Sequence, residues 1–359
     1  NGEIYNAPEL RVELEKRGVK FQTDHSDTEV ALQLYALFGS ASLQKLNGML
    51  AFAIYDNVGK KLFLCRDHAG IKPLYYFQQN GVFAFSSELK SLLALPFVKR
   101  EIDMQSLFHY MSLMYVPGEN TIIKGIKRLA AGHFLIYDLK THDLKSEQWW
   151  NPRFKNNLNL PKKDLVRKVR ENFEAAVNRW TLSDVSIACS LSGGLDSSAI
   201  VGALSKNGQK VKTYSLGFKG EGESYWDELP RAKQVAEKWG TDHHELILDP
   251  EDLLNDLVQM VWHLDEPYSG GLPSWKIFEF MAHDVKVGLT GTGGDEMFGN
   301  YGKWRGLSGW LYKFFVHNGE EAVDKKKFRE KFFEKYYYFG DEEKRNFAFS
   351  DAQNLQNTS

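Results

Sequence analysis

The sequence predicts two domains of different class: α+β over residues 1–145 and α/β over residues 164–359, joined by a linker at 146–163. Three observations carry this. Short alternating apolar runs crowd the first part, strand and helix patterns alternate in the second, and a polar stretch with Pro152 and Pro161 separates them. A chain of 359 residues with 43% apolar content can bury two cores.

In chain order, helix-like periodicity covers residues 7–18, 28–38 and 103–113. Between them "MLAFAIYD", "KLFLCRD", "GVFAFSSE" and "HFLIYDL" alternate with Gly, Asn and Asp turn signals, the pattern of antiparallel strands. After the linker, "VSIACSL" reads as a strand and "SSAIVGALSKNG" as a helix stopped by Asn207 and Gly208. "KVKTYSLGF" follows as a strand, "DELPRAKQVAEKWG" as a helix ended by Gly240, and "HHELIL" as a strand. "VKVGLT" is another strand after two further helices. Such alternation predicts a doubly wound parallel sheet. The charged stretch "KKKFREKFFEKYYYFGDEEK" reads as solvated helix over an aromatic core stripe.

Composition narrows the function. Forty-five basic against 47 acidic residues give a net charge of -2, without the basic excess that a phosphate-backbone binder needs, so nucleic acid is not an expected partner. No apolar run reaches the roughly 18 residues of a membrane span. The opening residues lack a signal-peptide layout. Cys65 and Cys189 alone make no disulfide framework, which fits a reducing cytoplasm. The chain opens at "NGEIYN" without a methionine and closes soon after a helical pattern, as expected of a fragment.

The densest chemistry lies in "CSLSGGLDSSAIVGAL", residues 189–204, a turn from strand to helix. Glycines admit close backbone approach, backbone N–H groups and the hydroxyls of Ser192, Ser197 and Ser198 donate to anions, and the following helix presents its positive end. That is a phosphate cradle. It lacks the lysine of a G-x-x-x-x-G-K-[ST] loop. Asp196 beside bound phosphate would repel it unless a divalent cation came too, so magnesium is implied. A second Gly-rich turn with carboxylates follows a strand at "GLTGTGGDEMFGNY", residues 288–301, and its spacing does not fit a dinucleotide-binding G-x-G-x-x-G. His243 and His244, with Glu245 as the one neighbouring acid at ligand spacing, read as strand-end histidines rather than metal ligands.

"SGGLDSS" resembles the pyrophosphate loop of ATP pyrophosphatases, and "GLTGTGGDEMFGNY" resembles the S-G-[ED]-G-[SAG]-D-E-x-F-G-G-Y block of glutamine-hydrolysing asparagine synthetases. "TYSLGF", "DELPRAKQVAEKWGTDHHE" and "DEPYSGGLPSW" fall in the order of that family. So do "NGEIYN", "SDTEV", "NGMLAFAIYD", "RDHAGIKPLYY", "FSSELKSLL" and "YVPGENTIIKGIKRLAAGHFL" in the first domain. The resemblance runs from residue 1 to about 301 and implies a partial N-terminal-nucleophile amidotransferase sandwich followed by an ATP pyrophosphatase domain. It also implies roles. Asn1 and Gly2 would stabilise an oxyanion, Glu3 would grip glutamine, and Asp27 would hold its α-amino group. Leu191, Leu216, Thr290 and Gly291 would meet ATP; Ser192, Gly193, Gly194, Ser197 and Ser198 would hold pyrophosphate; Asp196 and Asp295 would bind Mg2+. The implied reaction adenylates aspartate and transfers glutamine-derived ammonia to it, with a homodimer left open.

Three departures qualify the resemblance. The family nucleophile is an N-terminal cysteine, and neither Cys65 nor Cys189 matches it; both read as buried apolar residues. Residues 1–6 are expected to fray, as a terminal strand with an open edge is poorly held. Thr292 stands where these synthetases carry a glutamate, and a hydroxyl is no base near neutral pH, so another carboxylate acceptor stays open. The family's catalytic lysine region is not recognisable before Ser359. A catalytically silent nucleotide-binding homologue is the alternative from another class.

Overall fold

A computed structural model describes residues 1–153, 159–206, 208, 210–219, 228–249, 254–266, 271–298, 333, 336–349 and 354–358. The chain divides into two compact units, Asn1–Tyr110 with Tyr115–Pro161 and Met111–Met114 with Lys162–Ser359.

The chain begins with β1 (Gly2–Ile4), α1 (Ala7–Lys16) and α2 (Asp27–Phe38). The Ser26 hydroxyl caps α2 by accepting from Glu29 N at 3.2 Å, and Gly39, at φ 55°, ends it. Then come β2 (Gly48–Asp56), β3 (Lys61–Arg66), β4 (Tyr75–Gln79), β5 (Val82–Ser86), α3 (Leu89–Leu93), α4 (Met104–Leu113), β6 (Ile126–Arg128), β7 (His133–Asp138) and β8 (Leu144–Gln148). Two antiparallel sheets result, ordered β1-β2-β3-β7-β8 and β5-β4-β6.

Period-two alternation sets the layers. Phe52, Ile54, Phe63, Cys65, Phe134 and Ile136 point from the larger sheet onto Leu10, Leu14, Val30 and Leu34 of the helices. Their neighbours Ala51, Leu64, Leu135 and Tyr137 point the other way, onto Leu74, Tyr76 and Leu129. Tyr75 and Phe77 of the smaller sheet cover Leu89 and Leu92 of α3 on its outer side. Helix, sheet, sheet and helix are therefore stacked in that order. Phe63, Leu64 and Leu34 are 1% exposed or less, and each such side chain stabilises the fold by about 1.5–3 kcal/mol. β8 runs on past the boundary expected at 145, because His133–Tyr137 of β7 keeps a partner as far as Gln148.

The second unit runs α5 (Lys162–Trp180), β9 (Ile187–Ser190), α6 (Leu195–Lys206), β10 (Lys212–Phe218), α7 (Leu229–Trp239) and β11 (Asp242–Leu248). It continues with α8 (Leu257–Leu264), α9 (Gly271–Ala282), β12 (Val287–Leu289), α10 (Gly294–Phe298) and α11 (Asp341–Phe347). Its sheet is ordered β11-β10-β9-β12, with every pair parallel. Cys189 and Leu289 face Val201, Leu204, Ala232 and Ala236 of α6 and α7, whereas Ala188 and Tyr214 face Ile277 and Met281 of α9. Helices thus cover both faces.

That order has a consequence for function. From β9 the chain winds outward on one side, to β10 and β11, then returns to place β12 on the other. The carboxyl ends of β9 and β12 therefore mark the topological switch point, where connections diverge and leave a crevice. Both Gly-rich turns leave from these two ends. No described helix is long and apolar enough to cross a membrane. Half of the charged stretch at 325–344, and Pro267 to Gly270 of "DEPYSGGLPSW", lie outside the described residues.

Candidate active sites

The turn between β9 and α6 is fixed from within. Ser192 N donates to Ser197 Oγ at 3.3 Å, the two hydroxyls lie 3.0 Å apart, and Gly194 N donates to Ser192 Oγ at 3.2 Å. Ser197 Oγ also donates to Gly194 O at 3.3 Å. Ser197, 6% exposed, thus braces the turn. Ser198 Oγ is buried without any hydrogen-bond partner, a donor in want of an acceptor. Leu191 is buried at 1% exposure, its N–H donates to Tyr214 O at 2.8 Å, and its carbonyl accepts from Ser215 Oγ.

Gly193 sits at φ 70°, and a Cβ there would lie 2.6 Å from both Ala232 N and Arg231 Cβ. Only glycine lets the first turn of α7 come so close. Gly217, next to Leu216 in β10, is similarly crowded, by Leu229 Cδ1 at 2.4 Å from its absent Cβ.

The turn after β12 packs directly on the first. A Cβ on Gly291 would meet Ser197 N at 2.8 Å, and one on Gly294 would meet Asp196 Cγ at 2.5 Å. Asp196 therefore lies against the loop that carries Asp295 at the start of α10. Its carboxyl is pushed above the ordinary carboxylate range, first by burial and then by the charges of Asp295 and Glu296. Thr290 Oγ1 accepts from Thr292 N at 3.2 Å, and the Thr292 side chain is exposed. His243 and His244 are held at the start of β11. His243 Nδ1 lies 2.9 Å from Thr213 Oγ1, and His244 stacks on Tyr214 with centroids 4.9 Å apart.

In the first unit, a cavity of ≈ 280 Å³ is lined by Asn1, Gly2, Glu3 and Asp27, together with residues of β2. Residues 1–6, expected to fray, are paired and partly buried in the structure. Asn1 exchanges backbone hydrogen bonds with Ala51 at 3.0 and 2.8 Å, β1 pairs with Met49 and its neighbours, and Ile4 and Tyr5 are 4% and 5% exposed. The Asn6 amide adds ties to Lys45 O and Asn47 N, so the end is pinned along its whole length. Asp27 takes part too, as Oδ2 accepts from Ile4 N at 3.0 Å and Oδ1 from the Thr28 hydroxyl at 3.2 Å. Two carboxylates, Glu3 and Asp27, thus share one small cavity, a setting suited to an ammonium group. Burial and the Glu3 charge together push the Tyr5 phenol up to about 12.

Neither cysteine belongs to either site. Cys65 and Cys189 are 0% and 1% exposed. Burial pushes the Cys65 thiol far above its usual range and Cys189 up to about 12, so neither forms a thiolate near neutral pH.

Comparison with known proteins agrees with this layout. Residues 1–150 match the family described as glutamine amidotransferase domain, and residues 168–353 match the one described as asparagine synthase. The chain belongs to the glutamine-hydrolysing asparagine synthetase family. Asparagine synthetase [glutamine-hydrolyzing] 1 of Bacillus subtilis is 37% identical over 308 residues, which cover 85% of this chain and 48% of that protein. Asparagine synthetase [glutamine-hydrolyzing] 3 of the same organism is 35% identical over 84% of this chain and 51% of its own. The chain spans about half the length of the curated relatives it matches.

Within this asparagine synthetase homologue, sequence reasoning missed the brace formed by Ser197 and the Ser215–Leu191 hydrogen bond. It also missed Arg66 and Asp67. The Asp67 carboxylate accepts from the backbone N–H groups of Leu50, Ala69, Ile71 and Lys72, tying the "RDHAGIKPLYY" loop to β2 beside the first cavity. Arg66 donates to the carbonyls of Lys72, Leu129 and Gly70. An Arg-Asp pair followed by a glycine turn was the available signal.

Proposed function

We propose that the chain is the part of a glutamine-dependent synthetase that binds glutamine in its first unit and, in its second, activates a carboxylate with ATP. The observation that carries this reading is the packing of the two Gly-rich turns at the switch point, with Asp196 against the Asp295 loop. The helix–sheet–sheet–helix layering of the first unit supports a type 2 glutamine amidotransferase domain at 1–145, and the doubly wound sheet supports an ATP pyrophosphatase domain at 164–359.

Adenylation overcomes the poor electrophilicity of a carboxylate. Its oxygen attacks the α-phosphorus of ATP, the bond from that phosphorus to the bridging oxygen breaks, and pyrophosphate leaves. Ammonia then bonds to the acyl carbon, AMP departs with the former carboxylate oxygen, and the surplus proton passes to solvent. Ser192, Gly193, Gly194 and Ser198 receive the pyrophosphate, and the unpaired Ser198 hydroxyl, a donor without an acceptor, supports this reading. Ser197 keeps the turn in shape, while Leu191, Leu216, Thr290 and Gly291 form walls for the nucleotide.

The residues present fit a magnesium ion. Asp196 and Asp295 supply hard oxygen ligands, burial and then the Asp295 charge raise the Asp196 carboxyl, and neither turn contains a lysine or arginine. Magnesium held there would neutralise charge on the leaving pyrophosphate.

Aspartate is the acceptor that the family points to. Thr292 favours a second reading, another carboxylate acceptor, since its exposed hydroxyl cannot act as the base a glutamate would provide. In the first unit, Glu3 and Asp27 bind the α-amino group of glutamine, and Asn1 and Gly2 donate to its amide oxygen as charge develops. The test is exchange of labelled pyrophosphate into ATP, with magnesium and aspartate, by the protein expressed over its full reading frame. Exchange that Asp196→Asn lowers at least about tenfold supports the reading, about 1.4 kcal/mol of barrier. Wild-type exchange in Asp196→Asn overturns it. Thr292→Glu then tests the acceptor: more asparagine favours aspartate, and less favours another carboxylate.

A further inference from the structure

The phosphate turn poses an electrostatic problem. Asp196 and Asp295 stand beside the turn that would take a highly charged anion, and residues 189–198 and 288–298 contain no lysine or arginine. One divalent ion does not balance two carboxylates and a nucleoside triphosphate. A fixed cation has to come from another element.

One is in reach. The absent Cβ of Gly193, at the apex of the turn, would lie 2.6 Å from Arg231 Cβ and 2.7 Å from Arg231 C. The base of the Arg231 side chain therefore touches the turn that receives phosphate. Arg231 is exposed, and among the described residues its guanidinium makes no hydrogen bond or ion pair. Burial raises the carboxyl of Glu228, three positions earlier, and the Arg231 charge partly offsets this. Around Arg231, α7 is an 11-residue helix that opens without a side-chain cap at Glu228, so its positive end lies near the base of the same side chain.

We propose that Arg231 is a phosphate-binding residue of this site, swinging its guanidinium from the first turn of α7 onto oxygens of the pyrophosphate moiety held by the Ser192–Ser198 turn. The proposal rests on the reading of that turn as a pyrophosphate loop. A planar guanidinium can give two parallel hydrogen bonds to phosphate, which an ammonium matches in charge alone. The same residue explains why Gly193 has no room for a side chain: any Cβ would push away the backbone that delivers the cation.

The experiment measures binding of inorganic pyrophosphate with magnesium by calorimetry, at low and high salt, to the full-reading-frame protein and its Arg231→Ala, Arg231→Lys and Glu228→Gln variants. Thermal melting checks that each is folded. Arg231→Ala should bind pyrophosphate about tenfold more weakly, with a smaller salt dependence, and Arg231→Lys should recover part of the loss. Glu228→Gln should bind as tightly as wild type or tighter. Equal affinity in wild type and Arg231→Ala would overturn the inference while leaving the loop reading intact. If wild type does not bind pyrophosphate, the loop reading falls and the inference with it.

Discussion

Replacing Gly193 by alanine tests whether the Ser192–Ser198 turn and α7 form one packed unit. Two costs add. An alanine held at φ 70° costs about 1–2 kcal/mol relative to glycine. The new methyl would also lie 2.6 Å from Ala232 N, a backbone atom that cannot rotate aside, and such overpacking costs about 1–3 kcal/mol. Together these give about 2–5 kcal/mol, a large share of the stability of a domain. Gly194→Ala is the internal control. Its φ is not in the left-handed region and its one close neighbour is the Ser192 hydroxyl at 3.1 Å, a contact relieved by a shift of a few tenths of an ångström, so the loss should be smaller, about 1 kcal/mol. Urea unfolding, followed by fluorescence and circular dichroism, reads the difference as a shift in midpoint at constant slope for the second unit's transition. Equal midpoints for the two variants would refute the packing argument.

Asp196→Asn should raise the melting temperature at pH 7 while abolishing pyrophosphate exchange. The Asp196 carboxyl binds its proton more tightly in the folded chain, so stability falls as pH rises from the ordinary carboxylate range through its raised value; the variant should flatten that slope, and a lower melting temperature than wild type at pH 7 contradicts the sign. Gly2→Ala should lower glutamine affinity more than about tenfold by forcing β1 from β2, because its Cβ would lie 1.9 Å from Met49 O, and an unchanged calorimetric affinity for glutamine counts against that pocket. The 359-residue chain should release no glutamate from glutamine, since both its thiols are buried and protonated; release above the no-enzyme control that Cys65→Ala or Cys189→Ala abolishes would overturn this.

What was legible in the sequence was periodic or local. Alternation in "MLAFAIYD" gave β2, strand and helix alternation gave the parallel sheet, and Gly240 gave the end of α7 at φ 63°. What was hidden depends on contacts between distant segments. Asn1 meets Ala51, Asn6 meets Lys45 and Asn47, and Asp27 meets Ile4, so a terminus that looks unsupported in one dimension is held by three others. The division of labour among the serines was equally hidden. All three look like phosphate donors in "SGGLDSS", yet the Ser197 hydroxyl is engaged inside the turn and the Ser198 hydroxyl is unpaired. Local spacing cannot tell them apart, because the difference lies in which way the first turn of α6 points each side chain.

The relation between Asp196 and Asp295 shows how topology makes a site that no local pattern could. The two carboxylates lie far apart in the chain, and the parallel pairing of Ala188 with Gly288 and of Cys189 with Leu289 sets the ends of β9 and β12 side by side. Burial first, and then the like charges of Asp295 and Glu296, disfavour the charged Asp196 carboxylate in the folded chain. The rest of the second unit has to offset that repulsion, with Val201, Leu204 and Ala232 packed on one face of the sheet and Tyr214 and Met281 on the other. A ligand that brings a divalent cation between the acids would remove the repulsion, so binding and stability are coupled at this point. Asp196→Asn should therefore lose the extra thermal stabilisation that magnesium and pyrophosphate together confer, even as its own melting temperature rises.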